Sequence, residues 1–186
     1  MARAVTAADK PEKLEKSLAM KLAVLFVVVV PFIGTLYAMV MLWNQWVDWL
    51  DVTLMLVLYI FSGLGITMGF HRMLTHKSFM AKPWLRRLLL IAGCMAVEGD
   101  PMTWASTHIQ HHAHSDDEDD PHSPLEGLWH SHVGWLFKHQ HNIDVYGSWL
   151  KKDPDVVWVT KTWLFWVALG LIIPTAIAGW SGLIWG

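Results

Sequence analysis

Two long blocks without a charged residue dominate the first part of the chain and mark it as a membrane protein. Leu22 to Trp43 is the first, long enough at ~1.5 Å per residue to cross a ~30 Å hydrocarbon core, and it predicts a transmembrane helix. Pro31 inside it is expected to kink the helix, a defect tolerated in lipid where neighbours satisfy the freed carbonyl. Val52 to Phe70 is the second uncharged block, and its Gly63, Gly65 and Gly69 would let another helix approach closely. Between the blocks, Asn44 to Asp51 holds Trp46, Trp49, Asp48 and Asp51 but no basic residue. That composition fits an outer-side turn, with Trp43 and the connector tryptophans at the interface.

Later blocks are less clean. Leu85 to Val97 is apolar but short and carries Arg86 and Arg87, so it predicts an interfacial or re-entrant helix rather than a span. Val156 to Ile173 is a third long block, interrupted only by Lys161, which lies close enough to one end to snorkel. Pro174 is expected to break that helix, with Ala176 to Gly186 beginning another. A half-span would leave helix-end carbonyls unsatisfied at membrane depth, so the chain reads as truncated there. The expected layout is a tail at 1–19 and one membrane domain at 20–186. Its spans fall at about 22–43, 52–70 and 156–173, with the start of another at 176–186.

Composition supports this layout. Of 186 residues, 54% are hydrophobic and 13 are Trp, a balance that predicts an all-α integral membrane protein. The formal net charge of -2 supplies no field to attract a polyanion, and no nucleic-acid partner is expected. Basic residues are unevenly placed. Arg3, Lys10, Lys13, Lys16 and Lys21 precede or open the first span, and most of the rest lie between Arg72 and Lys152. This bias puts the N-terminus and a histidine-rich helical cap at 71–155 on the cytoplasmic side. The single cysteine, Cys94, sits in an apolar run and reads as a small buried hydrophobe.

The 11 histidines carry the chemistry, because all of them lie between His71 and His141. His71 and His76 directly follow the second span. Positions five apart fall about 140° apart on a regular α-helix, so the helix must end or bulge there if both rings are to meet one metal. In His108-Ile109-Gln110-His111-His112 the i, i+4 pair shares one face, while His111 and His112 diverge by ~100°. One helix could therefore serve two adjacent metals. Neutral imidazoles suit iron, zinc or copper. Asp116, Asp117, Glu118, Asp119 and Asp120 follow, largely a solvated loop, with one or two carboxylates close enough to orient ligating rings. His130, His132, His139 and His141 are interleaved with Trp129, Trp135 and Phe137 and read as interfacial residues rather than ligands.

With these residues in hand, the pattern resembles the membrane fatty-acid desaturases, including acyl-CoA and acyl-lipid delta-9 desaturases. The matching stretches are Gly69 to Phe79, Trp104 to His112, Ser115 to His122 and Ser131 to Trp135, in family order and with family-like separations. The resemblance implies a non-haem di-iron centre of two iron ions held by His71, His76, His108, His111 and His112. It also implies O2 as co-substrate and introduction of a cis double bond into a fatty-acyl chain. Electrons would come from a separate donor such as ferredoxin or cytochrome b5. The substrate would be a fatty-acyl thioester or an acyl-lipid of the membrane, with Trp104 lining its tunnel. The family also draws on a third histidine cluster beyond the end of this chain, so the expectation is that the chain alone binds iron poorly and is inactive. Ser106-Thr107 stand where animal acyl-CoA enzymes carry an Arg-Asp pair that helps hold the CoA head, which leaves acyl-lipid and acyl-carrier-protein substrates open.

Two other readings compete. Membrane di-iron hydroxylases and ketolases share the multi-histidine plan and begin with the same hydrogen abstraction. A non-catalytic membrane metal-binding or transport protein would place ionisable residues within its spans, yet the first two blocks hold no charge and no His.

Overall fold

The computed structural model describes residues 17–43, 47–138 and 141–186. Most of the N-terminal tail, Trp46 and His139 lie outside the described residues, and so does the side chain of Trp43. Every regular element among the described residues is helical. Helix α1, Leu18–Trp43, carries large apolar side chains exposed around its circumference, among them Leu22, Phe26, Phe32, Leu36 and Met39. A helix apolar on all sides is stable in lipid and not in water. Pro31 leaves it continuous, and the Thr35 hydroxyl donates to the Pro31 carbonyl at 2.9 Å.

Helix α2, Trp49–Leu64, begins three residues before the uncharged block, because Asp48 and Asp51 form a capping box. Asp48 Oδ1 accepts from the amides of Leu50 and Asp51 at 2.8 and 3.0 Å, and the Asp48 amide donates back to Asp51 at 3.1 Å. These bonds satisfy donors that the first turn leaves orphaned. The helix does not end at Phe70. It continues as a π-helix over Gly65–Thr75.

Two of the three glycines predicted to admit a neighbour do so. A Cβ at Gly65 would lie 2.1 Å from the Gly93 amide, and one at Gly69 would lie 2.8 Å from the Leu89 carbonyl. Gly93 in turn accepts the Phe70 ring. Gly63 has nothing within 4 Å and takes no part in this contact. The partner is α3, Pro83–Met95, whose thirteen residues reach only ~20 Å. It packs along the π-helix, α2 and the last helix, with Leu90, Ala92 and Cys94 fully buried. Burial, with a contribution from the Asp100 charge, pushes the Cys94 thiol up to about 12, so the residue behaves as a small apolar group.

Helix α4, Pro101–His114, crosses against the π-helix and is held on its other side by α6, Ile143–Tyr146. Between them in sequence lies α5, Trp135–Lys138, which continues a short π-turn over His130–Gly134 and rests on α1. The last helix, α7, covers Pro154–Trp185. Asp153 caps it, and Arg86 and Arg87 of α3 pair with Asp153 and Asp155 at its start.

The break expected at Pro174 is displaced. The helix runs through Pro174, which is buried, and the non-helical residue is Gly179 at φ 64. Proline removes one backbone donor without forcing a reversal, whereas a positive φ is open to glycine at little cost. Beyond Gly179 the chain folds back, so that a Cβ on Gly182 would lie 1.9 Å from the Pro174 carbonyl. The Ser181 hydroxyl donates to Asp51 at the start of α2. Among the described residues, three helical stretches, Leu18–Leu42, Trp49–Thr75 and Pro154–Trp185, are long and apolar enough to cross a membrane. A core of Phe70, Leu74, Leu90, Cys94, Ala105, Leu150, Val156 and Val159 lies where the π-helix, α3, α4 and α7 meet. The histidines stand directly on this core.

Candidate metal centre

The π-helix decides the geometry of the first cluster. Its i→i+5 bonds replace the α-helical step, and the His76 amide donates to the His71 carbonyl at 3.0 Å. Thr75 reinforces the register by donating its hydroxyl to the Phe70 carbonyl at 2.8 Å. The five-residue spacing is thereby one turn, and the His71 and His76 Nε2 atoms are 3.1 Å apart.

Helix α4 supplies the second cluster. Asp100 caps its first turn, accepting from the amides of Met102 and Thr103 at 2.9 and 3.1 Å. The same oxygen accepts from the Thr160 hydroxyl of α7 at 3.0 Å. One turn apart on the same face of the helix, His108 and His112 bring their Nε2 atoms to 3.0 Å. The two helices then deliver four rings to one place: the centroids of His71 and His108 are 4.7 Å apart, and those of His76 and His112 are 4.8 Å apart. One nitrogen from each of His71, His76, His108 and His112 lies within 4.8 Å of the other three.

His111 turns away from this group, as the divergence along the helix predicts. It joins Asp120 and His122 in a second convergent set, with its ring 4.3 Å from that of His122. The two sets are neighbours, since the rings of His111 and His112 are 5.6 Å apart. Sequence reasoning expects one or two of the five carboxylates to orient ligating rings but does not single out Asp120, and it does not name His122 as a ligand. Their signal is the two-residue step Asp120-Pro121-His122 at the exit of an acidic turn, which spacing rules for helices do not weigh.

Charge at the site favours neutral rings. Burial, with the neighbouring His112, His71, His76 and His111 rings, lowers the His108 pKa to about 4. Burial and the His76 and His111 rings lower that of His112. Burial pushes the Asp120 carboxyl up, but the Asp116 amide, the His111 ring and the His122 amide hold it below its ordinary value. The four imidazoles pair their facing Nε2 atoms only two by two, His71 with His76 and His108 with His112. A nitrogen-preferring metal ion satisfies all four, so the donor set fits iron, zinc or copper.

Trp104 lies one turn before His108 and stacks on its ring at 4.9 Å and 25°, while its Nε1 donates to Glu98 Oε2 at 2.9 Å. Phe70 lies 5.8 Å from the indole. The other described histidines stay outside both sets. His114 reaches the Tyr146 hydroxyl at 3.0 Å, His141 reaches the Thr107 hydroxyl at 2.6 Å, and His132 lies against the Leu128 carbonyl at 3.0 Å. His130 is buried, with Nδ1 3.4 Å from Glu126. Ser106 and Thr107 are buried, and both hydroxyls donate back to the Thr103 carbonyl.

The comparisons with known proteins agree with this architecture. The fatty acid desaturase family model matches residues 44–186. A sn-1 stearoyl-lipid 9-desaturase of Anabaena variabilis is 42% identical over 144 residues, covering 75% of this chain and 53% of the relative. A hex-5-enoyl-[acyl-carrier protein] acetylenase of Moorena producens is 34% identical over 180 residues, covering 85% and 56%. Delta-9 acyl-lipid desaturase 2 of Arabidopsis thaliana is 35% identical over 158 residues, covering 82% and 51%. The chain thus spans about half the length of the curated relatives it matches. By this match over most of its length, the chain belongs to the fatty acid desaturase family.

Proposed function

We propose that this chain carries the N-terminal half of the active site of an O2-dependent fatty-acyl desaturase, an oxidoreductase that introduces a cis double bond into an acyl chain. The observation that carries the reading is the convergence of His71, His76, His108 and His112 at the end of a helix long enough to cross a membrane. These four rings would hold one iron, and His111 would serve a second beside it. When bound, the pair of irons supplies an oxidant able to remove hydrogen from an unactivated methylene, which no side chain can do.

The chain's own residues supply position and charge. The π-turn presents His71 and His76 together, and burial keeps His108 neutral and ready to coordinate. Trp104, bonded to Glu98 and stacked on His108, would wall the approach of an acyl chain to the centre. Most of the relatives' names are of acyl-lipid desaturases, with one acyl-carrier-protein and one acyl-CoA name beside them, which favours an acyl-lipid substrate. The inward-turned hydroxyls of Ser106 and Thr107 agree, since neither reaches out toward a phosphate-rich head. Electrons would come from a separate donor of the ferredoxin or cytochrome b5 kind. The bias of the basic residues supports a cytoplasmic position for the N-terminus and the histidines.

The test is expression of the chain alone and joined to the C-terminal half of the Anabaena relative, in cells whose lipids are saturated. Bound iron and membrane fatty acids are then measured. New cis double bonds that vanish in His108→Ala support the proposal. An iron-loaded protein that yields hydroxylated chains instead moves it to the hydroxylases.

A further inference from the structure

Five carboxylates come after α4, and only one of them turns inward. The side chain of Asp120 is fully buried, whereas Asp116, Asp117 and Glu118 are exposed. Asp120 Oδ2 accepts from His111 Nδ1 at 3.0 Å and from the Asp116 amide at 3.0 Å. Its Oδ1 accepts from the His122 amide at 3.1 Å, with His122 Nδ1 farther off at 3.7 Å. Asp116 donates from a left-handed conformation, φ 62, which aspartate adopts more readily than most residues with a Cβ. The turn thus aims an amide at this carboxylate.

This arrangement separates two roles that proximity alone leaves mixed. A carboxylate that coordinates metal needs a lone pair directed at the ion, but Oδ2, the oxygen that faces His111, already takes two donors, while Oδ1 takes the His122 amide. Turning Oδ2 to a metal would leave the His111 ring and the Asp116 amide without their acceptor. His111, by contrast, gives Nδ1 to Asp120 and keeps Nε2 uncommitted to that bond. A carboxylate behind a ligating imidazole fixes its tautomer and orientation and raises its basicity.

We propose that Asp120 is a positioning residue that holds His111 in the Nδ1–H tautomer, leaving Nε2 as the coordinating nitrogen, and is not itself a metal ligand. The proposal rests on the reading of His111 as a ligand, but its main readout does not require metal. In the metal-free chain in detergent, 15N NMR of labelled histidine rings reports each tautomer, and His111→Gln identifies the His111 signals. The expected result is a proton on Nδ1 and a bare Nε2 in the wild type. In Asp120→Ala the ring becomes a mixture of tautomers. Titration with Co2+ is expected to show the first equivalent unchanged and the second weakened about 10- to 100-fold.

A wild-type ring protonated on Nε2 overturns the assignment, and this measurement stands even if Asp120→Ala fails to fold. An unchanged tautomer in that variant also overturns it. Loss of cobalt with the tautomer intact would make Asp120 a ligand. A wild type that binds no cobalt contradicts the reading of the histidines as metal ligands, while the tautomer still decides the role of Asp120.

Discussion

The His76 amide donates to the His71 carbonyl at 3.0 Å, and this single five-residue bond makes one metal-facing edge out of two rings that an α-helix would send apart. An alanine inserted between Met73 and Leu74 gives the pair a spacing of six, matching neither an i→i+4 nor an i→i+5 turn. Metal affinity at the four-imidazole group is expected to fall at least tenfold, about the cost of disturbing a ligand's support. Chelator competition measures it, and an unchanged affinity would show that the π-register is dispensable.

What each residue must satisfy decides how much of this fold and site is legible in the sequence. The spans can be read because lipid demands uncharged length, a property of consecutive residues. The bulge at His71 can be inferred because two rings have to meet and an α-helix forbids it. The second set can be read only in part. Helical angles separate His111 from His112, but nothing in a run of five carboxylates distinguishes Asp120 until the turn folds it inward. Gly63 and Gly65 look alike in sequence, yet only Gly65 faces α3. The break in α7 escapes sequence reasoning for a related cause: Pro174 is the conspicuous helix breaker, but Gly179 is the residue with a positive φ.

That difference between the glycines gives a second prediction. A methyl group at Gly65 would meet backbone at 2.1 Å, where no flexible side chain can yield, so α2 and α3 must separate. Gly65→Ala is expected to destabilise by about 1–3 kcal/mol or more. Gly63→Ala, in open space, should stay near neutral. Unfolding of the two variants in mixed micelles compares them directly, and equal midpoints would contradict the close packing of these helices.

The pH dependence of the metal-free chain follows from His108. Its folded pKa is lowered to about 4 from 6.5, so between these values the unfolded chain binds a proton that the folded chain refuses. Stability contributed by the neutral ring is complete above about 6.5 and declines as pH falls toward 4. Asp120, whose folded pKa is also lowered, adds a loss in the same direction at lower pH. Chemical denaturation at pH 7 and pH 5 should show lower stability at pH 5, with the difference reduced in His108→Gln. A chain more stable at pH 5 would contradict the burial of this ring.

Asp100 joins the histidine helix to the membrane helix that comes after it. Its Oδ1 takes two amides of the first turn of α4 and the Thr160 hydroxyl of α7, so one carboxylate both caps α4 and fixes its position against α7. The two functions separate by substitution. Thr160→Val removes only the contact between helices and should cost about 1 kcal/mol, with helix content unchanged and metal affinity reduced because the His108 end shifts relative to His71. Asp100→Ala removes the cap as well, at a further cost of about 0.5–2 kcal/mol, and should lower helicity. Asp100→Ser keeps a capping oxygen on a shorter stem, so it should retain helicity while weakening metal as Thr160→Val does. Circular dichroism and cobalt titration on the three variants give the comparison. If Thr160→Val binds metal as tightly as the wild type, α4 is positioned by its core contacts alone, and the Asp100–Thr160 bond has no part in assembling the site.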